Sequence, residues 1–166
     1  MNRLSDLQTC FSALAGCRNR RPPQLAQACR VDMAMGYPRV LLADDHPKIR
    51  ERIAQLLEGE CEVLGSAENG AQLIEAALNL DPDLIVLDIS MPVLNGIEAA
   101  HYLKNFGSPA KVIFLTMHED DAFVTAAGVA GALGYVLKCR ISIDLIPAIR
   151  KVLQGHVFAS PPLRIN

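Results

Sequence analysis

The strongest constraint in this chain is a repeated pairing of a short apolar run, ending on a polar or charged residue, with a following stretch of helical period. LIVLD (84–88) is the plainest case: four apolar residues lead straight into the carboxylate of Asp88. RVLLA (39–43) leads into Asp44 and Asp45, KVIFLT (111–116) ends on Thr116, and GYVLK (134–138) ends on Lys138. Runs that are apolar at successive residues belong to strands covered on both faces, a property of parallel sheets. EVLGSA (62–67) reads as one more strand. Between the strands, Ile49, Ile53, Leu56 and Leu57 share one helical face opened by Pro47, and Leu73, Ile74, Ala77 and Leu78 share another. Further helices are predicted from about Gly96 to Phe106 and from about Glu119 to Val129, and the last carries Leu145, Ile146, Ile149, Val152 and Leu153. Five strands alternating with five helices predict an α/β fold, with right-handed crossovers covering both faces of a parallel five-stranded sheet.

Such a sheet binds ligands outside the carboxyl ends of its strands. Asp44, Asp45, Asp88, Thr116 and Lys138 stand at those ends, so the fold predicts that they converge. Three carboxylates brought together repel one another by a few kcal/mol per pair at ~4 Å and an effective dielectric near 20. Lys138 offsets one charge, and a hard divalent ion with oxygen ligands such as Mg²⁺ would offset the rest. In that setting Asp88 is a candidate nucleophile toward a phosphoryl group. Lys138 would neutralise the transferred oxygens, and the Thr116 hydroxyl would donate to the acyl phosphate.

Composition narrows the classes. At 166 residues, 51% hydrophobic, the chain has material for one ordinary core, and its net charge of −2 supplies no basic field for nucleic acid. Five cysteines (Cys10, Cys17, Cys29, Cys61, Cys139) are odd in number and contain no C-x-x-C pair, which fits free thiols in a reducing compartment. Leu14-Ala15-Gly16-Cys17 matches a lipoprotein processing pattern, but Asp6, Gln8, Thr9 and Ser12 spoil the apolar core that such a signal needs. The apolar run 122–137 has only 16 residues and three glycines, short of the roughly 20 of a spanning helix. Residues 1–38 are arginine-rich and lack a clear packing partner. They are expected to be a disordered or loosely docked extension, with Met33 or Met35 as an alternative translation start. The folded domain is expected over 39–155, and 156–166 as a tail or linker remnant.

Asp44-Asp45 after an apolar strand, DISMPVLNG (88–96), Thr116 and GYVLK (134–138) together resemble the receiver domain of bacterial response regulators, over about Arg39 to Gly155. LLADDHP, LTMHED and GHVFASPPL are most similar to the branch whose output is a LuxR-type helix-turn-helix. The resemblance implies a flavodoxin-like doubly wound (βα)5 fold with strand order 2-1-3-4-5. It makes Asp88 the phospho-acceptor, served by a histidine kinase or phosphotransfer protein. Asp45, Asp88 and the backbone carbonyl of Ser90 would bind Mg²⁺ directly, with Asp44 acting mostly through water. Lys138 would hold a phosphoryl oxygen, Thr116 would swing inward to report it, and Tyr135 would change rotamer with Thr116. The protein would be cytoplasmic and would catalyse only its own phosphorylation and dephosphorylation. A LuxR-type output needs roughly 60 residues beyond the receiver, and eleven follow Gly155. The expectation is therefore a single-domain regulator or a fragment, acting on a downstream protein or as a homodimer, without contact to nucleic acid or membrane.

Two departures from the commonest receiver pattern matter. Met117 follows Thr116 where a small residue is frequent, so Met117 and Ser90 are expected to modulate access to Asp88, with slow hydrolysis and poor labelling by acetyl phosphate. Cys139 follows Lys138 where many receivers have proline, so a trans peptide is expected. Each residue also has an ordinary reading: Asp45 as a cap for the helix at Pro47, Thr116 as a strand-end hydroxyl, Lys138 as a solvated terminus. His46 suggests a DDH metal hydrolase but is expected to point into the turn before Pro47, and His101, His118 and His156 are expected at the surface. The competing functions are an aspartyl-phosphate phosphatase, which would usually carry its nucleophile in a DxD on the first strand, and an interaction module that is never phosphorylated.

Overall fold

The computed structural model describes residues 36–117 and 128–161. The leader, the start-codon and the lipoprotein readings of residues 1–35, and the helix expected over most of Glu119 to Val129, lie outside the described residues. Among the described residues the chain runs β1 (Arg39–Ala43), α1 (Pro47–Leu57), β2 (Glu62–Ala67), α2 (Gly70–Leu80), β3 (Leu84–Asp88), α3 (Gly96–Asn105), β4 (Lys111–Thr116) and β5 (Gly134–Leu137). A short 3₁₀ turn (Lys138–Arg140), α4 (Ile141–Leu153) and β6 (Phe158–Ala159) complete it.

The expected order 2-1-3-4-5 holds, and β6 extends the sheet to six strands in the order β2-β1-β3-β4-β5-β6. Every pairing is parallel. A register shift between Val40 and Leu41 lets β1 keep pace with β2. Side chains alternate between the faces. Val40, Leu42, Leu84, Val86, Ile113, Leu115 and Val136 form one core with Ile53 and Leu57 of α1 and with Leu145, Ile149 and Val152 of α4. Leu41, Ile85, Leu87 and Phe114 are buried as completely. Burial on both faces is why these strands read as continuous apolar runs, each large side chain contributing roughly 1.5–3 kcal/mol.

The helices start where the sequence offers caps. Pro47 opens α1, the Asn69 side chain accepts from the Gln72 N–H at α2, and Asn95 and Glu98 cap each other at α3. These starts set the lengths of the loops at the strand carboxyl ends, where the polar residues lie. No described peptide is cis, and the bond to Cys139 is trans as expected. No described helix is long and apolar enough to cross a membrane.

Candidate functional site

The parallel register brings the strand ends level: Ala43 pairs with Leu87, Asp88 with Leu115, and Thr116 with Leu137. Residues just beyond these pairs are thereby neighbours. Asp44 and Asp88 are buried, and Lys138 Nζ reaches both, lying 2.7 Å from Asp44 Oδ2 and 2.8 Å from Asp88 Oδ2 with only 8% of its side chain exposed. Thr116 is buried at the end of β4, and Tyr135 is buried in β5.

Sharing one ammonium between two carboxylates has unequal effects on the partners. Burial pushes the Asp88 carboxyl above its ordinary range; the Lys138 hydrogen bond and charge pull it down, Asp44 pushes it up, and the Ser90 backbone N–H donates to it and lowers it. Burial alone would depress the Lys138 ammonium, but the close carboxylates of Asp44 and Asp88 outweigh that and hold it above its ordinary value. The two directions agree physically: the cation has two partners, whereas each carboxylate has half of one. Lys138 stays charged, and the carboxylates stay under-compensated.

Asp45 adds to that excess. Asp44, Asp45 and His46 each place a ligand atom within 4.8 Å of the others. His46 Nδ1 lies 2.5 Å from Asp45 Oδ1 and 3.4 Å from Asp44 Oδ1, while the His46 backbone N–H donates to Asp44 Oδ1 at 2.8 Å. The imidazole, two-thirds exposed, lies against the acidic pair within the turn before Pro47. The buried oxygens Asp44 Oδ2 and Asp45 Oδ1 accept no well-angled hydrogen bond, their contacts with Lys138 Nζ and His46 Nδ1 being close in distance alone. Three carboxylates against one ammonium leave two negative charges, and unsatisfied buried carboxylate oxygens are the donors that Mg²⁺ takes. The residues fit that ion. Asp44, expected one water removed from it, also meets Lys138 Nζ.

Two features of the loop after β3 shape the site and were not read from the sequence. A Cβ on Gly96 would collide with the backbone oxygen of Asp88, so only glycine lets α3 start this close to the end of β3. Val93 has φ +69° inside a tight turn in which the Leu94 N–H donates to the Pro92 carbonyl at 2.8 Å. A β-branched residue in that conformation costs roughly 1–3 kcal/mol. The signal for such a turn is normally glycine or asparagine, and here it is missing. Of the access residues, Ser90 is exposed, and Met117 is 70% exposed beside buried Thr116. His101 is half-buried and His156 exposed, and His118 lies outside the described residues.

A third group, also unread in the sequence, lies behind Lys138. Asp144 of α4 is buried and accepts from Arg140 Nε at 2.7 Å and from the Ser160 hydroxyl at 2.6 Å. The Arg140 hydrogen bond, aided by Ser160, holds its carboxyl below the ordinary range against the opposing effect of burial.

The family model of the response regulator receiver domain matches residues 40–150. The chain is 36% identical over 126 residues to the nitrate/nitrite response regulator protein NarL of Escherichia coli K12, an overlap of 75% of this chain and 58% of NarL. It is 36% identical over 129 residues to the transcriptional regulatory protein DegU of Brevibacillus brevis, covering 76% of this chain and 55% of DegU. It therefore spans little more than half the length of these curated relatives. Among solved structures, the signal receiver domain of a NarL response regulator from Mycobacterium tuberculosis superposes with TM-score 0.70 at 30% identity, covering 74% of this chain and all of that one. The isolated receiver of RcsB from Salmonella enterica serovar Typhimurium, solved with the phosphomimetic BeF₃⁻, gives 0.69 at 30% identity over 75% of this chain and 94% of that one.

Proposed function

The chain belongs to the response regulator receiver domain family, and on that premise we propose that Asp88 is where it receives a phosphoryl group from a phosphohistidine. The observation that carries this reading is the under-compensated buried pair, Asp44 and Asp88 on one Lys138. A carboxylate that burial has stripped of water is a better nucleophile than a solvated one, and the ammonium already in place favours its ionised form against the effect of burial. An Asp88 oxygen attacks phosphorus. The phosphorus–nitrogen bond of the donor breaks, and its electron pair goes to the leaving imidazole, which takes up a proton.

Asp45, Asp88 and the Ser90 carbonyl would hold Mg²⁺, with Asp44 beside them. Bound there, the ion supplies the positive charge that the three carboxylates lack and shields the incoming phosphate. Lys138, within reach of Asp88, then pairs with a phosphoryl oxygen, and Thr116 donates its hydroxyl to another. The added charge favours one arrangement of Thr116 and Tyr135 over the other, a population shift on the β4–β5 face. The chemistry is confined to the chain's own Asp88, with no outside substrate turned over. The phosphodonor is a histidine kinase or phosphotransfer protein in the cytoplasm. The response passes through a receiver surface to a protein target, a second copy or a further segment of a longer chain, and not to nucleic acid through these residues.

The test is to incubate the protein with Mg²⁺ and a phosphorylated histidine kinase, then locate the label by mass spectrometry after reduction of the acyl phosphate. One phosphoryl group per chain on Asp88, absent in Asp88→Asn, is expected. Label that persists in Asp88→Asn would refute the assignment.

A further inference from the structure

The residue after β6 is tied into the site from behind. Ser160 donates its backbone N–H to the Tyr135 carbonyl at 2.8 Å, and its hydroxyl accepts from the Leu137 N–H at 3.2 Å while donating to Asp144 Oδ2 at 2.6 Å. Asp144 in turn holds Arg140, through Nε at 2.7 Å and Nη2 at 3.3 Å. Leu137 and Arg140 flank the start and end of the 3₁₀ turn that begins with Lys138. The backbone carrying the phosphoryl-binding ammonium is thus gripped on both sides by one small cluster, and Ser160 is its centre. Ahead of Ser160, Gly134 pairs with Phe158 and Tyr135 with Ala159, the Phe158 N–H donates to the Leu133 carbonyl at 2.8 Å, and Lys151 Nζ lies over the Phe158 ring.

We infer that Ser160 is a positioning residue for Lys138, acting through Leu137 and Asp144, and that the same contacts couple docking of the segment from Phe158 to Ser160 with occupancy of the phosphoryl site. This rests on the phospho-acceptor reading of Asp88. The physical reason is geometric. Lys138 has a long, flexible side chain, and its Nζ serves two buried oxygens only if its Cα is held in place. β5 ends at Leu137, so sheet hydrogen bonds no longer hold it there. The Ser160 hydroxyl supplies the missing acceptor for Leu137, and the Arg140–Asp144 pair closes the turn. Linkage makes the effect reciprocal: if docked β6 favours the Lys138 position that binds an oxyanion, an oxyanion at Asp88 favours docked β6 by the same factor.

The test uses the whole chain and beryllofluoride as the probe, with Mg²⁺ affinity measured separately by calorimetry. Loss of one hydroxyl that bridges two partners should weaken beryllofluoride binding in Ser160→Ala by about three- to tenfold. Ser160→Thr, which keeps the hydroxyl, should stay within about twofold of wild type, and both variants should keep wild-type Mg²⁺ affinity. A residue that merely stabilised the fold would not separate the two ligands in this way. In wild type, beryllofluoride should slow hydrogen exchange at the Phe158 and Ser160 amides by a similar factor, and in Ser160→Ala it should not. Should Ser160→Ala lose structure, Asp144→Asn, which retains an acceptor for Ser160, gives the same comparison with a smaller loss. Equal beryllofluoride affinity in wild type and Ser160→Ala would overturn the inference alone. Wild type that takes up no beryllofluoride would overturn the reading of Asp88 and the inference with it.

Discussion

Two buried acidic clusters meet the Lys138–Arg140 turn, one through Lys138 and one through Arg140, and they are built to opposite ends. In the first, Asp44 and Asp88 share one ammonium with Asp45 and His46 alongside, and the Asp88 carboxyl is pushed up. In the second, Asp144 has a guanidinium and a hydroxyl to itself, and its carboxyl is pulled down. The same side-chain chemistry thus gives an over-charged site that gains from a further cation or an acceptor reaction, and a charge-balanced clamp that is already satisfied. The difference has two causes: burial acts most strongly on Asp88, deep at the strand ends, and Asp88 shares its cation with Asp44, whereas Asp144 has the Arg140 guanidinium to itself.

The largest expected effects come from neutralising each carboxylate in turn. Asp88→Asn should abolish phosphoryl uptake, yet in metal-free protein it should raise the unfolding temperature, because it removes a charge that the fold disfavours while Lys138 keeps Asp44. A gain of about 1 kcal/mol would be a few degrees in a domain of this size. Asp144→Ala should do the reverse, leaving phosphorylation possible but lowering stability by about 1–3 kcal/mol, as expected for a buried residue losing charged hydrogen bonds, reduced by the solvent that reaches the guanidinium. Thermal denaturation with chelator present reads both. If the two substitutions shift the transition in the same direction, the clusters are not opposed as described.

Acid separates them by sign. The folded Asp144 carboxyl lies below its ordinary value of 3.8, so its contribution is present above that pH and is lost as pH falls through the lower folded value. The folded Asp88 carboxyl lies above 3.8, so metal-free protein takes up a proton there while the unfolded chain is still ionised. Its contribution to stability is complete below 3.8 and is lost as pH rises through the folded value. Stability of metal-free wild type relative to Asp88→Asn should therefore improve on acidification toward pH 4. The deficit of Asp144→Ala relative to wild type should shrink only below that.

Mg²⁺ gives a smaller and more selective effect. At ten times its dissociation constant a ligand confined to the folded state adds about 1.4 kcal/mol. Wild type and Asp144→Ala should both show that rise in denaturation scans. Asp45→Asn should lose most of it, since Asp45 Oδ1 is one of the unsatisfied oxygens.

The two clusters were not equally legible in the sequence. Asp44, Asp45, Asp88, Thr116 and Lys138 were readable because doubly covered strands are written as contiguous apolar runs, and a polar residue ending such a run marks the ligand-binding edge of the sheet. Nothing comparable marked Asp144, which sits in the amphipathic α4 as an ordinary polar position, or Ser160, sixteen residues further on. A two-residue strand such as Phe158–Ala159 has no period to detect, and its pairing with β5 depends on tertiary contacts to Leu133 and Tyr135.

The smallest expected effect tests whether charge alone governs the over-charged cluster. Met117 follows Thr116 but turns outward, 70% exposed, so it alters neither the charge balance nor the packing of the buried groups. Any influence it has must act on approach to Asp88. Met117→Ala should leave the unfolding temperature and Mg²⁺ affinity unchanged, while labelling by acetyl phosphate and hydrolysis of the acyl phosphate rise together by about threefold, equivalent to roughly 0.6 kcal/mol in the barrier. Transfer from a phosphorylated kinase, whose donor imidazole is delivered by a docked protein, should change less. Such a pattern would sharpen the contrast between the clusters, because only the reactive one has an approach route to guard. Rates unchanged with both donors would show that Asp88 is reached by a path Met117 does not border, and that the slow chemistry expected here is set by Asp44, Asp88 and Lys138 themselves.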